Sequence, residues 1–287
     1  MCKLNILLIV LLILIINSCN TDKKSSDNQY KNDIVLKNVY DLAKRVLNEK
    51  SDNFVFERTD KEVPEDYFEI SKLNNKILIK GNNGVSMASG LNWYLKKYCN
   101  AQFTLIDKQL TLPAKLPMPA SPERVQTPYR YRYFFNVCTF SYTMAWWDWQ
   151  DWERQIDWMA MNGINFPLAI TGQEAVWYEV YKELGFSEKQ IGDFIVGPAY
   201  FPWGWMGNVD GLGGPVPKSW MEKHKVLQQQ ILQRERALGM TPILQGFTGH
   251  VPESVKEVFP DEALLPPYDY YLLFLTFKPM FCSELPV

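Results

Sequence analysis

Asn136 and Cys138 close one expected strand, and Thr171-Gly172-Gln173-Glu174 follow another. Amide, thiol and carboxyl groups therefore gather where two strands run out. Between Asn136 and Trp177 the chain also carries six tryptophans. An amide can donate to and accept from hydroxyl or acetamido groups. A thiol makes a small, polarisable wall. An indole offers a flat apolar face with a polar edge, and the combination suits a carbohydrate. Glu174 has a second reading, because the dipole alone favours a carboxylate in the first turn of a helix. His250, at the exit of a third expected strand, reads either as a site residue or as a polar group satisfied at the strand end.

Most of the tryptophans answer to packing instead. In the expected helix Asp148–Asn162, Trp149, Trp152, Ile156 and Met159 recur at helical spacing and form a core stripe. Trp146 and Trp147 precede the N-cap Asp148 in the strand-to-helix loop, where core and site remain equally open. A second aromatic group lies in Gly197–Pro217, a segment rich in glycine and proline. A loop this long is uncommon unless it is functional or disordered, and its aromatics argue against disorder. It reads as a lid or subsite wall, with Trp203 and Trp205 as sugar platforms.

The elements that must position these residues fall into two groups. A helix over Asp33–Asn48 is followed by strands at Phe54–Glu57, Tyr67–Ile70 and Lys76–Lys80 and a helix over Val85–Tyr98. The Gly81-Asn82-Asn83-Gly84 run lacks the Lys-Ser/Thr of a phosphate loop and reads as a turn. This small α/β domain, residues 33–120, ends in a proline-marked extended connection from Pro113 to Pro128. The second part, residues 121–287, has strands at Tyr131–Cys138, Ile164–Ile170 and Thr241–Phe247. Helices are expected at Asp148–Asn162, Gln173–Leu184, Glu188–Ile195 and Trp220–Leu238. Ser187 with Gln190, and Ser219 with Glu222, spell capping boxes, and Gly163 and Gly239 close helices. Repeated β-then-α order implies a parallel sheet, either a (β/α)8 barrel or a doubly wound sheet. No dinucleotide fingerprint follows a strand, which weakens the second. In a barrel the strand C-termini carry function, and there Asn136, Cys138, Gln173, Glu174 and His250 fall.

The ends and the whole chain add bounds. Net charge is −2 with no basic stripe, so nucleic acid is not an expected partner. A 47% hydrophobic and 14% aromatic composition supports a large core. Lys3 and the apolar run Ile6–Ile16 make a signal segment, too short to span a bilayer well. Ile16-Asn17-Ser18-Cys19 resembles a bacterial lipobox, which makes 1–19 a lipoprotein signal peptide and Cys19 the lipidated residue; the alternative is ordinary cleavage near Ser18, leaving a soluble exported protein. Residues 20–32 read as a tether. The chain is thus expected to be an exported lipoprotein held to a membrane by its lipid anchor. Cys99, Cys138 and Cys282 fit no metal motif, and no metal or cofactor is expected.

Several stretches resemble one family. GNNGVSMASGLNWYLKKYC is similar to the small N-terminal domain of the α-N-acetylglucosaminidases, glycoside hydrolase family 89. YRYFFNVCTFSYTMAWWDWQDWERQIDWMAMNGINFPLAITGQEAVW resembles the start of their barrel, and GPAYFPWGWMGN, GGPVPKSW and LGMTPILQGFTGHVPESVKEVFP continue it in order. The resemblance implies an α/β chain with a small N-terminal α/β domain before a (β/α)8 TIM barrel, here incomplete. It implies hydrolysis of terminal α-linked N-acetylglucosamine from a glycan, with retention. It also implies that Asn136, Cys138 and Trp203 line the N-acetylglucosamine subsite, with Gln173 and Glu174 close by.

The catalytic pair is expected elsewhere. A retaining glycosidase needs two carboxyl groups about 5–5.5 Å apart, and the resemblance puts both glutamates on later strands, beyond residue 287. Residues 264–287 lose the family pattern. The chain is therefore expected to be a truncated N-terminal portion, inactive by itself. The rival expectations are a non-catalytic sugar-binding remnant and a non-functional gene fragment.

Overall fold

The computed structural model describes residues 33–59, 64–106, 110–246 and 249–260. The expected signal peptide, the tether, Cys19 and the tail 264–287 lie outside the described residues. Helix α1 (Ile34–Leu47) starts at Asp33, whose carboxylate accepts from the N–H groups of Val35 and Leu36 at 2.9 and 3.2 Å. Two donors that a helix start leaves orphaned are thereby satisfied. Its apolar face, Val39, Leu42, Val46 and Leu47, is buried. Strands β1 (Phe54–Arg58), β2 (Asp66–Leu73) and β3 (Lys76–Gly81) follow. β3 pairs parallel with β1 and antiparallel with β2. Helix α2 (Gly84–Cys99) is capped by Asn83, which accepts from the Ser86 N–H at 2.8 Å. It lies tight on the sheet at Gly90, where a Cβ would come within 2.7 Å of Ile79.

One strand escaped the sequence reading. β4 (Glu123–Thr127) pairs antiparallel with β2, so the sheet runs β1-β3-β2-β4 and extends past residue 120. The segment had read as part of the extended connection. Its sequence, ERVQT, has one strongly apolar residue, so alternation carries almost no signal and pairing to the β2 edge decides.

The second part has two short parallel strands, β5 (Tyr133–Phe134) and β6 (Phe166–Pro167), with Tyr133 opposite Phe166. Leu168 then bridges Ile243 in parallel. The three expected strands thus lie side by side in chain order. Around them run α3 (Trp149–Met161), α4 (Gln173–Glu183), α5 (Glu188–Phe194), α6 (Phe201–Trp205), α7 (Lys218–Ala237) and α8 (Val255–Val258). This is the start of a (β/α)8 barrel behind a small α/β domain, and among the described residues the sheet does not close. No helix of the described residues is long and apolar enough to cross a membrane.

Two of the three expected helix starts are capped as the sequence spells them. Asp148 and Asp151 form a capping box on α3, and Ser187 and Gln190 form one on α5. The box expected from Ser219 and Glu222 does not form: α7 starts at Lys218, after Pro217. Proline presets the backbone angle of a helix start and needs no donor there, so the helix begins before Ser219. Strand one stops at Phe134, which takes Cys138 off the strand.

The two parts share one apolar core. Arg45 of α1 makes a two-pronged contact to Asp157 of α3, 2.7 Å on each prong. Asn92 of α2 donates to the Met161 carbonyl at 2.8 Å, and Arg132 pairs with Asp66 at 2.6 Å.

Candidate functional site

After β5 the chain turns into a 3-10 helix, Val137–Tyr142, instead of continuing as strand. Asn136 causes the turn. Its side-chain oxygen accepts from the Cys138 N–H at 2.8 Å, and Thr139 donates to its carbonyl at 2.6 Å. Local side-chain bonds of this kind compete with a strand ladder. Cys138 sits in the first turn as a half-exposed free thiol. Phe140 points inward onto Trp205, with ring centres 5.6 Å apart.

Tyr142 points the other way and is 66% exposed. Its ring centre lies 6.4 Å from that of half-buried Trp203. Ser141, one residue earlier, donates to the Pro198 carbonyl at 2.7 Å and holds the two segments together. Asn136 and Cys138 thus stand at the start of the 3-10 helix whose end, at Tyr142, meets Trp203. Sequence reasoning missed Tyr142 because its segment read as strand end and loop. The signal available was its place six residues after Asn136, on the same short helix.

Trp205 is corrected from sugar platform to core. It is 2% exposed and stacks on Phe201 at 5.2 Å. The segment Gly197–Pro217 is correspondingly not an open loop, because it contains a 3-10 turn at Pro198–Tyr200 and helix α6. Trp147 packs edge-on against buried Trp152, with centres 5.4 Å apart. Trp146 stays 52% exposed. Trp149 is half-buried, not fully so, and lies under the Arg234 guanidinium at 5.2 Å.

Gln173 and Glu174 open α4, after Gly172 in the left-handed region at φ 72°. Gln173 is half-buried. Glu174 is turned inward and 1% exposed. Burial pushes its carboxyl up to about 7, against the opposing pulls of its own backbone N–H and the Trp220 indole. Neither oxygen closes a hydrogen bond of normal geometry. Trp220 stacks on His224 with centres 4.1 Å apart. The His224 ring nitrogens face the carbonyls of Trp220 and Ala145, at 2.9 and 3.2 Å, and burial pulls its pKa down.

His250 lies beside the aromatic segment. Its Nε2 donates to Asp210 Oδ1 at 2.6 Å, and its backbone carbonyl accepts from the Tyr181 hydroxyl at 2.9 Å. With Trp177, Phe194 and Trp205 it encloses a small void. Among the described residues no group of three His, Cys, Asp or Glu side chains could hold a metal ion.

Asn136 and the 3-10 helix that follows it leave the C-terminal end of the first barrel strand, where such folds carry their sites. Comparison with known proteins agrees with the fold. The description "Alpha-N-acetylglucosaminidase (NAGLU) N-terminal domain" matches residues 37–118, and "Alpha-N-acetylglucosaminidase (NAGLU) tim-barrel domain" matches residues 132–279. Human α-N-acetylglucosaminidase is 48% identical over 185 residues, which is 64% of this chain and 25% of that protein. A family 89 glycoside hydrolase from Clostridium perfringens, solved with 2-acetamido-1,2-dideoxynojirimycin, superposes with a TM-score of 0.79 at 41% identity, covering 86% of this chain and 28% of that one. A variant of the Clostridium perfringens protein with two glutamates changed to glutamine, solved with its substrate GlcNAc-α-1,4-galactose, gives 0.78 at 42%, over 85% of this chain and 28% of that one. The chain thus spans about a quarter of the length of these relatives. With both of its parts matched in order, this chain belongs to the α-N-acetylglucosaminidase family of glycoside hydrolases.

Proposed function

We propose that this chain serves the exo-hydrolysis of terminal α-linked N-acetylglucosamine from glycans, and that its share of the work is to hold the sugar. The observation that carries the reading is the Tyr142–Trp203 pair at the end of the 3-10 helix that Asn136 caps and whose first turn holds Cys138. The aromatic faces cover the apolar side of the ring. The Asn136 oxygen is committed to the Cys138 N–H, which leaves its NH2 to donate to a hydroxyl or acetamido oxygen. Cys138 supplies a soft wall for the acetamido methyl, and Gln173 adds a polar group from the neighbouring strand end.

Cleavage by retention needs a proton donor on the leaving oxygen and a carboxylate against the anomeric carbon. Glu174 and Glu253 are the described glutamates nearest strand exits. Glu174 is sealed in the interior and faces Trp220, and Glu253 is exposed. Neither has the setting for that task, so the chain by itself binds without cleaving. Incubating the purified chain with an aryl α-N-acetylglucosaminide tests this, with release no faster than the buffer blank as the expected result. Turnover abolished by Glu174→Gln or Glu253→Gln contradicts it. The reading extends to location: export with a lipid on Cys19 rests on the Ile16-Asn17-Ser18-Cys19 run, and the glycan is then met outside the cytoplasm.

A further inference from the structure

We propose that Gln245 and His250, from the exit of the third barrel strand, are positioning residues that set the Trp203 wall. The proposal rests on the sugar-holding reading above. Trp203 rides on α6, within the segment Gly197–Pro217. Beyond α6 that segment is rich in glycine, and Gly207, Gly211 and Gly213 all adopt positive φ, at 75°, 61° and 72°. α6 is seated by buried Phe201, Pro202 and Trp205, and the glycine-rich backbone beyond it has little stiffness of its own, so the ties at its end refine where Trp203 stands.

Two ties come from strand three. The Gln245 Nε2 donates to the Trp205 carbonyl at 3.0 Å. That carbonyl belongs to the last turn of α6, where helical carbonyls run out of intrahelical donors. His250 donates to Asp210 at 2.6 Å, five residues further along the same segment. His250 is itself well fixed. Its side chain is 10% exposed, its ring lies 5.0 Å from that of Phe194, and its carbonyl holds the Tyr181 hydroxyl. Asp210 is 44% exposed and reaches in from outside. The ties bracket Gly207 and fix the end of α6 against the sheet. On the opposite side Ser141 holds Pro198, just before α6. Strand three thus acts on the sugar through Trp203.

The test uses the full 287-residue chain labelled with 5-fluorotryptophan. The Trp203 fluorine resonance is assigned from its loss in Trp203→Phe, and the Trp152 resonance from its loss in Trp152→Phe. Asp210→Asn weakens one tie at an exposed position, which protects the fold. His250→Ala removes that tie, and Gln245→Ala removes the other. The Trp203 resonance is expected to shift or broaden in all three variants while that of buried Trp152 stays in place. Affinity for N-acetylglucosamine is expected to fall about tenfold in His250→Ala. A Trp203 resonance that stays put in Asp210→Asn and Gln245→Ala overturns the proposal. So does a shifted resonance with unchanged sugar affinity. If the unmutated chain binds no N-acetylglucosamine, the sugar-holding reading fails, and the fluorine shifts still decide whether strand three sets Trp203.

Discussion

Trp203 and Trp205 stand two positions apart on one short helix, and that spacing separates their roles. At about 100° per residue, side chains two apart point to nearly opposite sides. Trp205 goes into the core and Trp203 toward Tyr142. Sequence composition could not divide them, because both are aromatic in the same loop. Trp203→Ala is expected to weaken N-acetylglucosamine binding by more than about 1 kcal/mol with little loss of stability. Trp152→Ala, at a fully buried position, is expected to cost about 3–5 kcal/mol in chemical denaturation. Glu174 makes a prediction in pH. Its folded pKa, about 7, is raised above the ordinary 4.5. The folded chain therefore holds that proton more tightly than the unfolded one. The resulting stability is complete below about pH 4.5 and is lost as pH rises to about 7, by roughly 3 kcal/mol in all. Glu235, pushed up to about 8 by burial, acts with the same sign. Thermal melts at pH 5, 6, 7 and 8 should show Glu174→Gln gaining on the unmutated chain as pH rises. Parallel melting curves across that range would contradict the assignment.

Most elements with chemical end signals were legible, the unformed Ser219–Glu222 box excepted, and the strand defined by its partner was not. Asp148 and Ser187 cap α3 and α5 as their sequences spell, and Gly163 and Gly239 take the positive φ expected of helix closers. The barrel strands are shorter than their apolar runs suggest. Among the described residues of the barrel only Tyr133–Phe134 and Phe166–Pro167 pair as strands, with a single bridge from Leu168 to Ile243, and the first stops where Asn136 turns the chain aside. That turn carries Asn136, Cys138 and Tyr142, and its signal is a single amide in an apolar run. Strand β4 was invisible for the opposite reason, since its pairing residues lie far away on β2. At this scale Gly172 is the sharpest test. It holds a positive φ, and a Cβ there would lie 2.7 Å from the His224 carbonyl oxygen. Gly172→Ala combines left-handed backbone strain with overpacking and is expected to cost about 2–4 kcal/mol in urea unfolding. A cost under 0.5 kcal/mol would mean that α4 and α7 can separate freely.

At the scale of the molecule, the small α/β domain and the barrel strands form one body. The Arg45–Asp157 contact between α1 and α3 has Asp157 at 3% side-chain exposure. Arg45→Leu leaves that carboxylate buried and unpaired, and is expected to cost about 3–5 kcal/mol. Calorimetry should show one broadened, lowered transition, and two separate transitions would contradict the single-body account. For location, Cys19→Ala should move the chain from the membrane fraction to the soluble exported fraction, and an unmutated chain already found soluble would end the lipid-anchor reading. The central claim is that the first barrel strand and the aromatic segment together hold N-acetylglucosamine. Saturation-transfer NMR on the 287-residue chain tests it most directly, because that method detects even weak binding. Transfer to the acetamido methyl and ring protons is expected in the unmutated chain and should be lost in both Trp203→Ala and Tyr142→Ala. Absence of transfer in the unmutated chain, or equal transfer in all three, would contradict the account.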